Sequence, residues 1–246
     1  MLTPVRRQSL SDAVYEQLKS RIVLGELPAG EPLPAERALC AALGVNRGAL
    51  REALKRLEQA GLVQIQHGGG TKVTDFMATG GLELLPELMF GPDGGLDVAV
   101  AQSVVEMRSA LAHDLARRAA QRRTPAQAQA LTEVVTEMAA ADRADLLGLQ
   151  RLAMTFWGRA VEASGNLAYR LAYNTLARAY EPIFELLTQC LADELADLEG
   201  YRALADAIHQ QRPDDAAARA RAVTARGEAG LMNVLNALGA AQAKNP

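Results

Sequence analysis

Apolar residues recur along the first third of this chain at helical intervals, interrupted by glycine and proline. Leu10, Val14, Leu18, Ile22 and Val23 share one helix face, with Ser9 or Ser11 available as its cap. That helix should stop near Gly25, because Pro28 and Gly30 follow. The stretch Leu27-Pro-Ala-Gly-Glu-Pro-Leu-Pro34 is too proline-rich for a helix or a central strand and reads as a turn-laden connection. A short helix is expected from about Ala35 to Leu43, ended by Gly44. Asn46 can cap the next one, whose apolar set is Leu50, Leu54 and Leu57, and Gly61 ends it. Val63 and Ile65 then alternate with polar residues, His67-Gly-Gly-Gly70 supplies a tip, and Thr71-Lys-Val73 can return as a second strand.

Further along, Gly80-Gly81 and Gly91-Pro-Asp-Gly-Gly95 bracket an apolar piece, Leu82 to Phe90. Residues 77–95 are therefore expected to be a linker with a helical turn or two of its own. From Leu96 the pattern predicts long amphipathic helices at about 96–122, 125–140, 142–164, 166–192, 194–211 and 214–240. Pro182 should kink the fourth. No strand pattern competes. The fold class expected is mainly α: a three-helix module with a small β-hairpin over residues 1–76, then an antiparallel all-α helical bundle over 96–246.

Composition narrows the function classes. An apolar fraction of 49 % excludes a disordered chain, and 4 % aromatics in an Ala- and Leu-rich background favours helices over a β-sandwich. Cys40 and Cys190 sit in no metal or redox spacing and read as two buried, reduced thiols. No run of 18 apolar residues occurs, so neither secretion nor membrane spanning is indicated and a cytoplasmic location is expected. The net charge of −3 is unevenly spread. Residues 1–76 hold ten Lys/Arg and eight Asp/Glu, a net of +2, which leaves −5 for the remainder. The positive end is the one with chemistry suited to a polyanion.

Helix, turn at Gly44, helix, then two short strands with a glycine tip is the order of a winged helix-turn-helix. Arg47 and Arg51 lie four apart on its second helix, and Arg37 opens the preceding one. A planar guanidinium can engage guanine O6 and N7 with two hydrogen bonds, so these three are candidate base or phosphate contacts. The segments Leu33-Pro-Ala-Glu-Arg37, Gly44-Val-Asn-Arg47, Leu50-Arg-Glu-Ala-Leu-Lys-Arg-Leu57 and Gly61-Leu62 resemble the N-terminal signature of the GntR superfamily. Ile65-Gln-His-Gly68, Thr71-Lys-Val73 and Gly80-Gly-Leu-Glu-Leu-Leu85 resemble its FadR branch of fatty-acid regulators. The resemblance covers roughly residues 10–90 and implies double-stranded DNA as partner. It adds the wing residues His67, Gly68 and Gly69, with Ala35, Asn46, Gly48 and Ala49 adjoining the interface. Gly48 and Ala49 stand where that branch has hydroxyl side chains, so the operator sequence need not be shared.

The C-terminal part is similar to the FadR/FCD class of ligand-sensing domain, most clearly at Phe156-Trp157 and Ala163-Ser-Gly-Asn166. Many domains of that class hold a divalent metal through one aspartate and three histidines. Here Ala153, Trp157 and Tyr201 stand at the first three ligand positions, and Val223 to Arg226 offer no histidine. A metal site of that type is therefore expected to be absent, and no cofactor is implied. Arg108 resembles an arginine facing the ligand cavity, and without a nearby carboxylate it would favour an acidic effector. The structural alternative is a salt bridge to Glu106 or Asp114. Tyr180 could line the same cavity or be a core or surface tyrosine, and Glu228 and Gly230 lie in a segment loosely resembling one that meets acyl-CoA.

The leading reading is a homodimeric regulator on a palindromic operator, tuned by a small acid or by long-chain acyl-CoA, since one module makes too few base contacts for selectivity. A metal-independent organic-acid sensor is the alternative. An enzyme on a helical bundle lacks any nucleophile, phosphate-loop or metal constellation; Asp193, Glu194 and Asp197 read as a solvated helix face. An architectural DNA protein would call for a dry, fully packed bundle.

Overall fold

The computed structural model describes residues 10–66, 70–90 and 95–242. The chain forms two compact units, Met1–Gly95 and Leu96–Pro246, each with its own apolar core.

In the first unit, α1 (Leu10–Val23), α2 (Glu36–Leu43) and α3 (Arg47–Gln59) bury Val14, Leu18, Ile22, Leu39, Leu50, Leu54 and Leu57 against one another. The turn between α2 and α3 rests on Gly44, whose φ of 65° is costly for any residue with a Cβ. Ser9 lies outside the described residues, and Ser11 is buried within the first turn of α1 rather than capping it. β1 (Val63–Gln66) and β2 (Gly70–Val73) pair antiparallel, with Val63 opposite Val73 and Gln66 opposite Gly70. The proline-rich connection runs along the other side of β2. Leu33 N donates to Thr71 O at 2.7 Å and Val73 N to Glu31 O at 2.9 Å. Pro32, which has no N–H, sits on the edge where none is required.

The segment expected as a linker packs as part of this unit. α4 (Phe76–Thr79) is tied to the turn after α3 by Thr79 Oγ1, which donates to Gly61 O at 2.7 Å, and after a 3₁₀ turn at Leu82–Leu84, α5 (Leu85–Leu88) folds back onto α1. Leu84 is buried in the same core as α1 and α3, and Lys19 Nζ donates to Glu87 Oε1 at 2.6 Å. Leu84 and Glu87 therefore belong to the head, because each completes a contact that α1 leaves open.

The second unit is a helical bundle of α6 (Val98–Arg122), α7 (Pro125–Ala140), α8 (Leu146–Ser164), α9 (Leu167–Tyr180), α10 (Phe184–Cys190), α11 (Ala192–Ala196), α12 (Leu198–His209) and α13 (Pro213–Gln242). α13 packs chiefly along α6, and α8 is flanked by α6 and α7. Side chains fix the helix starts: Asp97 caps α6, a Thr124–Gln127 capping box opens α7, and Asn166 caps α9. The single kinked helix expected over 166–192 is instead three pieces. α9 ends at Tyr180, a 3₁₀ turn covers Glu181–Ile183, and α10 follows. Pro182 lacks the N–H that would continue the helix, and its ring would meet the carbonyl four residues back, so the break is complete.

Candidate nucleic-acid interface and ligand cavity

Asn46 Oδ1 accepts from Ala49 N at 2.9 Å and thereby fixes where α3 begins. The inward face of α3 is filled by Leu50, Leu54 and Leu57, so Arg47 and Arg51 are turned outward and both are exposed. Arg37, in the first turn of α2, is exposed as well, as are Ala35, Asn46 and Gly48; Ala49 is half-buried. Glu36 was not foreseen: its carboxylate accepts from Arg51 Nε at 3.0 and 3.2 Å. Arg37 and Arg47 carry no ion pair among the described residues. The wing is tied to α3 by Glu58, which accepts from Ile65 N at 2.8 Å. His67, Gly68 and Gly69, assigned to the wing tip, lie outside the described residues. The result is an exposed guanidinium row beside a two-stranded ribbon, a shape and charge suited to a duplex groove.

In the second unit, α6, α8, α9, α11 and α13 enclose a cavity of about 90 Å³. Its walls are largely apolar, with Leu111, Leu115, Val161 and Leu176 among them, and Arg108 from α6 lies within it. The partner of Arg108 is neither of the two carboxylates anticipated. Glu106 is exposed, and Asp114 instead accepts from Arg118 and the Tyr169 hydroxyl. Arg108 Nη2 donates to Glu194 Oε1 on α11. The two side chains are 12 % and 2 % exposed, so this ion pair is interior rather than decorative. Glu194 also accepts from the buried Tyr201 hydroxyl at 3.2 Å.

Glu194 corrects the expectation of a solvated acidic face. Asp193 and Asp197 surround it in sequence, but Glu194 shares the apolar stripe of Leu191 and Leu195, both buried. That stripe is the signal that could have found it. Burial works against the charge of Arg108, yet the Glu194 carboxylate outweighs it and the guanidinium pKa is raised. Burial pushes the Tyr180 and Tyr201 phenols up, and that of Tyr173 to about 12, so all three are neutral hydrogen-bonding groups at pH 7.

Of the alternatives open for Tyr180, it lies among the cavity's lining residues, with its hydroxyl buried and without a hydrogen-bond partner among the described residues. Glu228 and Gly230 do not line it. Gly230 lies where a Cβ would strike the Cys190 carbonyl oxygen, so its role is close packing of α13 on α10. The neighbouring Gly227 is the one that matters to the site, because a Cβ there would occupy the space of Glu194 Oε2. At the positions equated with metal ligands, Ala153 and Val223 have no ligating atom. Trp157 Nε1 only donates and lies near the Tyr201 hydroxyl without meeting hydrogen-bond geometry, and Tyr201 is engaged with Glu194. These side chains do not fit a metal ion. Both cysteines are free and half-buried, less enclosed than expected.

A winged helix-turn-helix head and a helical domain with a largely apolar cavity holding a buried ion pair define the class as a ligand-sensing DNA-binding regulator. The model of the gntR family of bacterial regulatory proteins matches residues 10–73, and that of the FCD domain matches residues 103–226. The chain belongs to the GntR family, with the FadR-type pairing of a GntR head and an FCD effector-binding domain, and is a transcriptional regulator rather than an enzyme. It is 39 % identical over 234 residues to the HTH-type transcriptional regulator Mce2R of Mycobacterium tuberculosis, covering 95 % of this chain and 96 % of that one. The fatty acid metabolism regulator protein of Vibrio cholerae is 49 % identical, but over 82 residues that span 33 % of this chain and 28 % of that one. Among solved structures, Lar, which controls expression of the Listeria monocytogenes agr system, superposes with a TM-score of 0.51 at 15 % identity. The alignment covers 93 % of this chain and 99 % of Lar, and it speaks for the fold alone. Among the described residues, no helix is long and apolar enough to cross a membrane.

Proposed function

We propose that this regulator acts in the cytoplasm as a homodimer on a palindromic operator, and that a small molecule entering the helical-domain cavity sets its affinity for that operator. The observation that carries the reading is the exposed row of Arg37, Arg47 and Arg51 around the capped start of α3. Two such heads supply the contacts that selectivity needs. A ligand changes operator affinity only by binding two arrangements of the heads unequally.

A second reading is an acidic effector, with long-chain acyl-CoA as its extreme. Its support is the similarity of residues in the head to the fatty acid metabolism regulator protein of Vibrio cholerae. Against it stands the cavity of about 90 Å³, small beside the roughly 300–1,000 Å³ of pockets for drug-sized ligands. An acid would also have to compete with Glu194 for Arg108.

Fluorescence anisotropy on the duplex upstream of the chain's own gene, with the full-length protein, tests both readings. Binding at two subunits per duplex is expected, and it should collapse in an Arg47→Ala, Arg51→Ala double variant. Undiminished binding by that variant would overturn the assigned interface. Release by palmitoyl-CoA, with no response to small molecules, would favour the second reading.

A further inference from the structure

The cavity carries unmet hydrogen-bonding capacity of both kinds. Arg108 Nη1, Gln150 Oε1, Tyr180 Oη and Glu194 Oε2 are all buried and have no hydrogen-bond partner among the described residues, and all four belong to residues that line it. Gln150 and Glu194 are 3 % and 2 % exposed. Buried polar atoms in native proteins are overwhelmingly paired, so four left open around one cavity mark the outline of what binds there. Arg108 can only donate, Glu194 as a carboxylate can only accept, and the Tyr180 hydroxyl can do either.

Charge is the second constraint. Arg108 and Glu194 already neutralise each other inside the protein. A ligand carboxylate would bring a further negative charge into an apolar enclosure, face Glu194 Oε2 with like charge, and offer it no proton. A neutral group with an acceptor beside an N–H donor meets the opposite outcome. Its oxygen satisfies Arg108 or Tyr180, its N–H groups satisfy Glu194 Oε2 and Gln150 Oε1, and the ion pair stays intact.

We infer that the cavity recognises a small ligand, neutral overall, whose polar end is a carboxamide or an equivalent donor–acceptor pair and whose remainder is aliphatic. The size follows from the volume: about 90 Å³ suits a small ligand rather than a drug-sized one, whose pockets run to roughly 300–1,000 Å³. The aliphatic part would lie against Leu111, Leu115, Val161 and Leu176. This inference rests on the reading of the cavity as the effector site and replaces the acid first anticipated there.

Trp157 is the only tryptophan in the chain and lines the cavity, so its emission reports occupancy directly. Full-length protein is titrated at pH 7 with hexanamide and with hexanoate, two chains of equal length differing in the end group. Hexanamide should give a saturable change in Trp157 emission, and hexanoate should bind roughly tenfold more weakly or worse, since it leaves Glu194 Oε2 unsatisfied. Glu194→Gln, which removes the balancing charge from Arg108, should invert the preference. If circular dichroism shows that variant unfolded, Tyr180→Phe takes its place and should lose several-fold in hexanamide affinity with helicity unchanged.

Hexanoate binding as tightly as hexanamide to the wild type overturns the inference. So does a Trp157 signal that neither compound moves, or a Tyr180→Phe variant that binds hexanamide normally. Saturating hexanamide that leaves operator affinity unchanged counts against the cavity-to-DNA coupling of the proposed function and leaves the ligand chemistry standing. Operator affinity that responds to hexanoate but not to hexanamide does the reverse.

Discussion

At the scale of single residues, Arg51 shows how a contact with DNA is prepared. Its guanidinium is held by Glu36, and both side chains are largely in solvent, 64 % and 39 % exposed. Such a pair contributes only about 0–1 kcal/mol to stability, so it orients Arg51 more than it stabilises the head. Arg51→Ala is accordingly expected to weaken operator binding by roughly 1–3 kcal/mol while the melting temperature stays within a few degrees of wild type. Anisotropy titration beside a thermal melt reads both quantities, and a normal operator affinity would remove Arg51 from the interface. The paired arginines were legible in the sequence because a spacing of four puts Arg47 and Arg51 on one face of α3. Glu36 was not, since nothing in the spacing of residues 36 and 51 says that α2 brings them together. Glu194 was missed for a different reason: two solvated-looking acids flank it, and only burial separates it from them.

Among elements, α13 depends on close approach to its neighbours. Its glycines at 227 and 230 let it lie against α10 and α11, where a Cβ on Gly230 would collide with backbone at Cys190. Backbone yields less readily than a side chain, so Gly230→Ala should destabilise the helical unit by about 1–3 kcal/mol. Gly239, on the same helix, has only Val98 Cγ1 at 3.5 Å from its would-be Cβ. Gly239→Ala should therefore go the other way, gaining about 0.5–1 kcal/mol from helix propensity. Urea unfolding followed by helicity distinguishes the two. Equal effects would mean that close approach at position 230 is not limiting. Element order and most helix ends were readable in advance, because caps such as Thr124 and Asn166 act within a turn of the helices they start. The break at Pro182 was located but its severity was underestimated. The docking of Leu84 and α5 on the head was not readable, since it depends on the long-range meeting of Lys19 with Glu87 and of Leu84 with a core drawn from residues 14–73.

At the scale of the whole molecule, the positive excess is confined to residues 1–76, +2 against −5 for the rest, and Glu83, Glu87 and Asp93 bring the whole N-terminal unit to −1, so the arginine face rather than a unit's net charge is where a polyanion is handled. Regulation then requires the cavity and the arginine face to share a free energy of coupling, typically about 1–3 kcal/mol in such systems. Coupling of that kind is reciprocal. If a cavity ligand weakens operator binding by some factor, the operator must weaken ligand binding by the same factor, whatever structural change connects them. Trp157 makes the second half of that cycle measurable, since its emission gives ligand affinity with and without saturating operator duplex. Anisotropy of labelled duplex, with and without ligand, gives the first half. The two ratios are expected to agree, at somewhere between about fivefold and 150-fold. A ligand that shifts operator affinity while its own Trp157 titration ignores the operator would have to act somewhere other than the cavity of Arg108 and Glu194.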